Sequence, residues 1–160
     1  MSIWGAIAGG FLGTLVMTSA LRACSELHLT RMDIPFLLGT AFFTDRTRAK
    51  AFGYLLHFGF GLIFALVYYA LFRAIGEASW WLGGLFGMAH ALFVGTTLVN
   101  VLLPAVHPRM GTATTAADAS PLLEPPGFLL LNYGPSTPVV TLLVHLAYGA
   151  IVGEFIALSA

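Results

Sequence analysis

Four long apolar stretches organise the chain: about Ile3–Ala23, Ala51–Ile75, Trp80–Leu103 and Pro138–Leu158. Each has about the 20 residues that a helix needs to cross the hydrocarbon of a bilayer. The stretches are continuously apolar and lack the alternation of a half-buried strand, so the pattern predicts helices. Polar residues fall between them. Gly76-Glu77-Ala78-Ser79 is a short break between the second and third stretches, whereas the other two connections are long. Each long connection carries a further apolar segment too short to span, at residues 34–43 (Ile34 to Phe43) and 127–134 (Gly127 to Gly134). Segments of that length are interfacial or re-entrant. The expectation is an all-α integral membrane protein with four transmembrane helices, whose long loops pack against the bundle.

The pattern also repeats. Phe11-Leu12-Gly13-Thr14 in the first stretch matches Phe93-Val94-Gly95-Thr96 in the third, and Leu55-Leu56-His57-Phe58-Gly59-Phe60-Gly61 matches Leu143-Val144-His145-Leu146-Ala147-Tyr148-Gly149. Two helix–loop–helix units are predicted, residues 1–79 and 80–160. Each has an even number of spans, so the two share one orientation and form a parallel repeat. Small residues recur every four positions, at Gly5, Gly9 and Gly13 and at Gly83, Gly87, Ala91 and Gly95. Gly61, Gly149 and Gly153 continue the theme beside the two matching histidines. Such stripes let membrane helices approach backbone to backbone, and they predict that His57 and His145 face inward.

Composition narrows the class. Among 160 residues, 58% are hydrophobic and 9% are charged, against about 25% charged in a soluble domain. So few charges cannot clothe a water-facing surface, and the zero formal net charge offers nucleic acid nothing to bind. The single cysteine, Cys24, excludes an internal disulfide and a cysteine-rich metal site. The first stretch has no basic residue before its apolar run and reads as a retained span, not a signal peptide. Arg22, Arg31, Arg46, Arg48 and Lys50 lie between the first two spans and Arg109 between the last two, with Arg73 alone opposite. The positive-inside rule then puts both long loops in the cytoplasm and both termini outside an inner (plasma) membrane, with Trp4, Trp80 and Trp81 at the outer interface.

The chemistry resides in the histidines. Imidazoles within a span are functional-site candidates by default. His57 and His145, from facing helices at similar depth, suit the two axial positions of a b-type haem, with neighbouring glycines leaving room for the macrocycle. Other readings stay open: metal, quinone or proton handling, or imidazoles that merely tie helices together through hydrogen bonds. His90 occupies the place matched by Ala8 in the first unit and would complete a three-histidine metal site with His57 and His145 only if all three converged on one ion. Thr18 and Asn100 are placed to hydrogen-bond the imidazoles. Arg31, Arg109, His28 and His107, at the loop ends of the first and third spans, are candidates for contact with lipid headgroups or a small anion. Glu154 is the one carboxylate inside a span, half a turn away from the His145 face. No nucleophilic triad, phosphate loop or paired-carboxylate site is visible.

The stretch Gly9-Gly10-Phe11-Leu12-Gly13-Thr14-Leu15-Val16-Met17-Thr18, with His57-xxx-Gly61 near the start of the second span, resembles the small bacterial membrane proteins of the YagU-like family. The resemblance covers about the first half of the chain. It implies a four-helix membrane fold, with no activity and no site residues to carry over. A chain this small, with short soluble loops and no catalytic motif, is expected to be an accessory or structural subunit that packs on a partner membrane protein or on its own copies. The alternatives are an electron-transfer protein with haem or metal at His57 and His145, and a small transporter or channel.

Overall fold

Capping residues start the helices. In the computed structural model, which describes residues 1–110 and 123–159, the Ser2 side chain accepts from the Trp4 N–H to begin α1 (Ile3–Glu26). Asp33 accepts from Phe36 at the start of the short α2 (Ile34–Gly39), with Pro35 in its first turn, and Asp45 accepts from Arg48 at the start of α3 (Arg46–Ile75). Each cap satisfies a backbone donor that the helix itself cannot. Helix α3 ends at Gly76, whose φ of 84° is left-handed and favours glycine. The third span, Trp80–Val106, comprises α4 (Trp80–Phe93), a π-helical stretch Val94–Leu102 and a last turn α5 (Leu103–Val106). A 3₁₀ segment, Phe128–Tyr133, precedes α6 (Thr137–Leu158).

Helices α1, α3, the third span and α6 are all long and apolar enough to cross a membrane, and no strand occurs among the described residues. Two details differ from the sequence expectation. Helices α1 and α3 extend past their apolar runs, to Glu26 and from Arg46. Hydropathy marks the part inside hydrocarbon, while caps and i,i+4 pairs such as Arg22–Glu26 at 2.7 Å carry the helix beyond it. The third span is not a uniform α-helix. The Thr96 hydroxyl donates to the Leu92 carbonyl at 2.6 Å and the Asn100 amide to the Gly95 carbonyl at 2.7 Å. Side chains competing for backbone carbonyls in this way are a recognised cause of a widened ladder.

Helix α6 lies between α1 and α4, and α1 lies between α3 and α6. Glycines make the seams. On the α4–α6 seam, a Cβ added to Gly149 would stand 2.1 Å from the Gly83 carbonyl oxygen, and one on Gly87 would stand 2.2 Å from that of His145. Gly153 faces the Ser79 carbonyl there. On the α1–α6 seam, Gly5 meets Ser159, Gly9 meets Phe155 and Gly13 meets Tyr148, while Gly61 of α3 meets Thr14 of α1. Gly95 faces Leu129, and Ala91 is buried. Helices α3 and α4 instead meet through rings, with Phe72–Phe86 at 5.1 Å and Tyr68–Phe86 at 5.6 Å. The outward faces are apolar, as Leu55, Ile63, Leu92 and Leu143 illustrate, and suit lipid contact.

Both long connections pack on the bundle. Helix α2 lies so close to α3 that a Cβ on Gly53 would come within 1.6 Å of the Pro35 carbonyl oxygen. The 3₁₀ segment buries Leu130 completely and holds Leu129 and Leu130 at positive φ. The two connections also bind each other. Arg31 N–H donates to the Tyr133 carbonyl at 2.8 Å, the Thr30 and Thr137 hydroxyls are 2.8 Å apart, and Ser136 donates to the Leu29 carbonyl.

Candidate functional site

The inward face of α3 runs through Gly53, His57, Gly61, Ala65, Tyr68 and Phe72, all buried. The inward face of α6 includes Thr141, His145, Tyr148, Gly149 and Val152. These stripes, with His90 of α4, bring titratable side chains from three spans into the bundle interior. The ring of His145 meets that of His90 edge to face, with centroids 4.8 Å apart. His145 Nδ1 lies 2.8 Å from the Thr141 carbonyl, and since a carbonyl only accepts, Nδ1 carries the hydrogen. His90 stacks on Phe64 at 3.8 Å and places Nδ1 3.3 Å from the Tyr68 hydroxyl. Tyr148 packs edge to face on Tyr68 at 5.8 Å and donates its hydroxyl to the Gly61 carbonyl at 2.5 Å.

His57 belongs to a different setting. It is 8% exposed, and its Nε2 is buried without a hydrogen-bond partner. The ring that packs against His145 is that of His90. His57 helps to line a cavity of about 250 Å³ between α1, α2 and α3, together with Thr18, Arg22, Glu26, Asp33, Arg46 and Lys50. A second, apolar groove of about 200 Å³ lies between the third span, the 3₁₀ segment and α6.

Several expected roles fall elsewhere. Gly61 and Gly149, four residues after the two histidines, do not open a slot for a macrocycle. Gly61 is filled by Thr14 and Gly149 by the backbone of Gly83, because small residues here serve helix approach. Among the described residues, no three His, Cys, Asp or Glu side chains gather as ligands for one ion, so His57, His90 and His145 do not converge as a metal site requires. Thr18 and Asn100 spend their donors on their own helices, at the Thr14 and Gly95 carbonyls, and not on imidazoles. In an apolar interior the nearest spare acceptor is the second lone pair of a carbonyl one turn back.

Of the loop cations, Arg31 and His107 are engaged with protein. Arg31 pairs with Glu124 at 3.2 Å and donates to the Asn132 carbonyl. His107 is not a headgroup contact: it is 3% exposed, with Nε2 3.0 Å from the Leu37 carbonyl. Its Nδ1 accepts from Arg109 N–H at 3.2 Å. Burial holds His107 below the usual imidazole value, the bond to Leu37 opposes this and Arg109 adds to it. His28 sits exposed at a φ of 58°. Burial, followed by the nearby Glu124, pushes Tyr133 up to about 12.

Tyr68 and Tyr148 are the members of the cluster that the sequence expectation missed. Tyr68 lies eleven residues after His57, which returns it to the same helix face within about 20° at 100° per residue. Tyr148 is one turn after His145. Both signals were present in the spacing. No protein-family model, no curated protein and no solved structure matches this chain.

Proposed function

We propose that the protein is a small polytopic transporter that passes protons through the buried cluster of His90, His145, Tyr68 and Tyr148. The single observation that carries this reading is the ring contact of His90 and His145 at 4.8 Å, inside a bundle of four apolar helices. Ionisable side chains at membrane depth are expensive, and where they gather from separate spans they mark ion pathways and proton relays. Imidazole is the side chain suited to taking and releasing a proton near neutral pH. The tyrosine hydroxyls extend the reach of the histidines towards the His57 side of the bundle. The two helix–loop–helix units, residues 1–79 and 80–160, supply α3 and the α4–α6 pair to the cluster. In this reading the basic loops face the cytoplasm and the termini face outside, as the positive-inside rule requires.

The test is proton flux into liposomes containing a trapped pH dye, driven by a potassium diffusion potential. The expected result is a flux above that of empty liposomes that falls at least roughly tenfold in His90→Gln and in His145→Gln, the order of effect given by loss of one proton-transferring group. Flux equal to that of empty liposomes, or unchanged by both substitutions, sinks the proposal.

A second reading, an accessory subunit docked on a partner membrane protein or on its own copies, is favoured by the π-helical part of the third span. There Thr96, Thr97 and Asn100 are half-exposed, and polar side chains on a membrane helix join neighbouring helices. Mild-detergent particles larger than the 17.0 kDa chain with its micelle, shrinking on Thr96→Leu/Asn100→Leu, support this reading. A monomer in both forms removes it.

A further inference from the structure

The loop-side cavity has a feature that helix packing leaves unexplained. Its mouth carries three cations and two carboxylates, and its wall includes His57. Lys50 pairs with Asp33 at 2.8 Å and Arg22 with Glu26 at 2.7 Å. Among the described residues Arg46 has no carboxylate partner and stacks over Phe36 at 5.1 Å. The mouth therefore has one excess positive charge. Along α3 the distance from Arg46 to His57 is about 16 Å at a rise of about 1.5 Å per residue. The cavity wall thus joins the charged helix ends to a residue well inside the apolar span.

We propose that this cavity binds a singly charged phosphate group, esterified in a lipid headgroup or free. Arg46 and Lys50 hold the oxyanion at the mouth, and His57 hydrogen-bonds the polar substituent that reaches inward. The charge matches, because a phosphodiester neutralises the one unmatched cation. The chemistry matches, because guanidinium and ammonium groups are the usual partners of phosphate oxygens. His57 lines the wall of the cavity within the apolar span, so a polar substituent that reaches inward meets its imidazole. The cavity is large enough for a headgroup and too small for a whole lipid, so the acyl chains of a phospholipid would remain outside. The site is built from α1, α2 and α3 alone and holds whether or not the histidine cluster passes protons.

Two sources share this chemistry: the headgroup of an anionic phospholipid and a free phosphate. The experiment uses the delipidated full chain in neutral detergent, titrated separately with short-chain phosphatidylglycerol, inorganic phosphate and a diacylglycerol of the same chain length. Binding is read as the shift in melting temperature. The expected result is saturable stabilisation by one or both phosphates and none by diacylglycerol. Apparent affinity should fall roughly tenfold in Arg46→Gln and in His57→Gln, as the loss of one charge-assisted hydrogen bond implies, and stay unchanged in Arg73→Gln at the opposite end of α3. Response to phosphatidylglycerol alone identifies a lipid headgroup, and response to inorganic phosphate identifies recognition of the phosphate itself. If His57→Gln does not fold, Arg46→Gln at the mouth decides alone. No stabilisation by either phosphate, equal stabilisation by diacylglycerol, or affinity unchanged in the folded variants overturns the proposal.

Discussion

His57 and His145 occupy matching places in the sequence, each four residues before a glycine, yet they differ in what surrounds them. His145 is locked. Its Nδ1 is bonded to its own helix, its ring is braced by His90, and its backbone carbonyl faces Gly87 across the α4–α6 seam. His57 is also buried, but its Nε2 has no partner and its ring borders a cavity with charged walls. The neighbours decide the difference. Helix α6 is clasped on both sides by glycine seams, whereas α3 has α1 on one flank and the short α2 on the other. A matching His-xxx-Gly spacing thus supports a closed contact in one unit and an open, polar one in the other.

The largest expected effect tests the closed side. Gly149→Val drives a branched side chain into the Gly83 carbonyl and should destabilise the protein by about 3 kcal/mol, the upper range for overpacking. Thermal unfolding in detergent reads it, and an unchanged melting temperature would show that α4 and α6 are not in backbone contact. Next comes a contrast in sign between the two histidines. His145→Leu removes a satisfied donor and a braced ring and should cost about 2 kcal/mol, whereas His57→Leu removes an unpartnered nitrogen and should be neutral or stabilising by up to about 1 kcal/mol in ligand-free protein. If both substitutions destabilise equally, the two environments do not differ as described. Tyr148→Phe breaks the bond to the Gly61 carbonyl that links the two sides and should cost about 1 kcal/mol, measured in the same assay.

The smallest effect concerns pH. The folded value of His107 lies below its ordinary 6.5, so folding favours the neutral ring. Its contribution to stability is complete above about pH 6.5 and is lost as pH falls towards the folded value. His107→Gln, which can still donate to the Leu37 carbonyl, should flatten that part of the curve of melting temperature against pH. A slope identical to that of the parent between pH 7.5 and 5 would show that the link between His107 and α2 carries none of the pH dependence.

Much of the architecture is legible in the sequence. A span of about 20 apolar residues is a one-dimensional property, so all four appear in the composition of the chain itself. The four-residue stripe through Gly53, His57 and Gly61 marks an inward face for the same reason. Caps at Asp45 and Ser2 extend the helices past their apolar limits, and that extension was legible only as short-range hydrogen-bonding chemistry, not as hydropathy. Harder to read was the side chains' choice of partner. Thr18 and Asn100 look like ligands for an imidazole, but they bond carbonyls on their own helices. His107 looks like a surface cation, but it is buried against Leu37, seventy residues away.

Sequence alone therefore established a four-span apolar bundle, its glycine-lined faces and the inward facing of His57 and His145, because periodicity and the thickness of a bilayer act on each segment separately. Which histidine meets which was a matter for the assembled bundle. The order α3, α1, α6, α4 puts His90 against His145 and leaves His57 beside a cavity, and that order depends on how glycine seams and aromatic rings compete for the same faces once all the helices pack together.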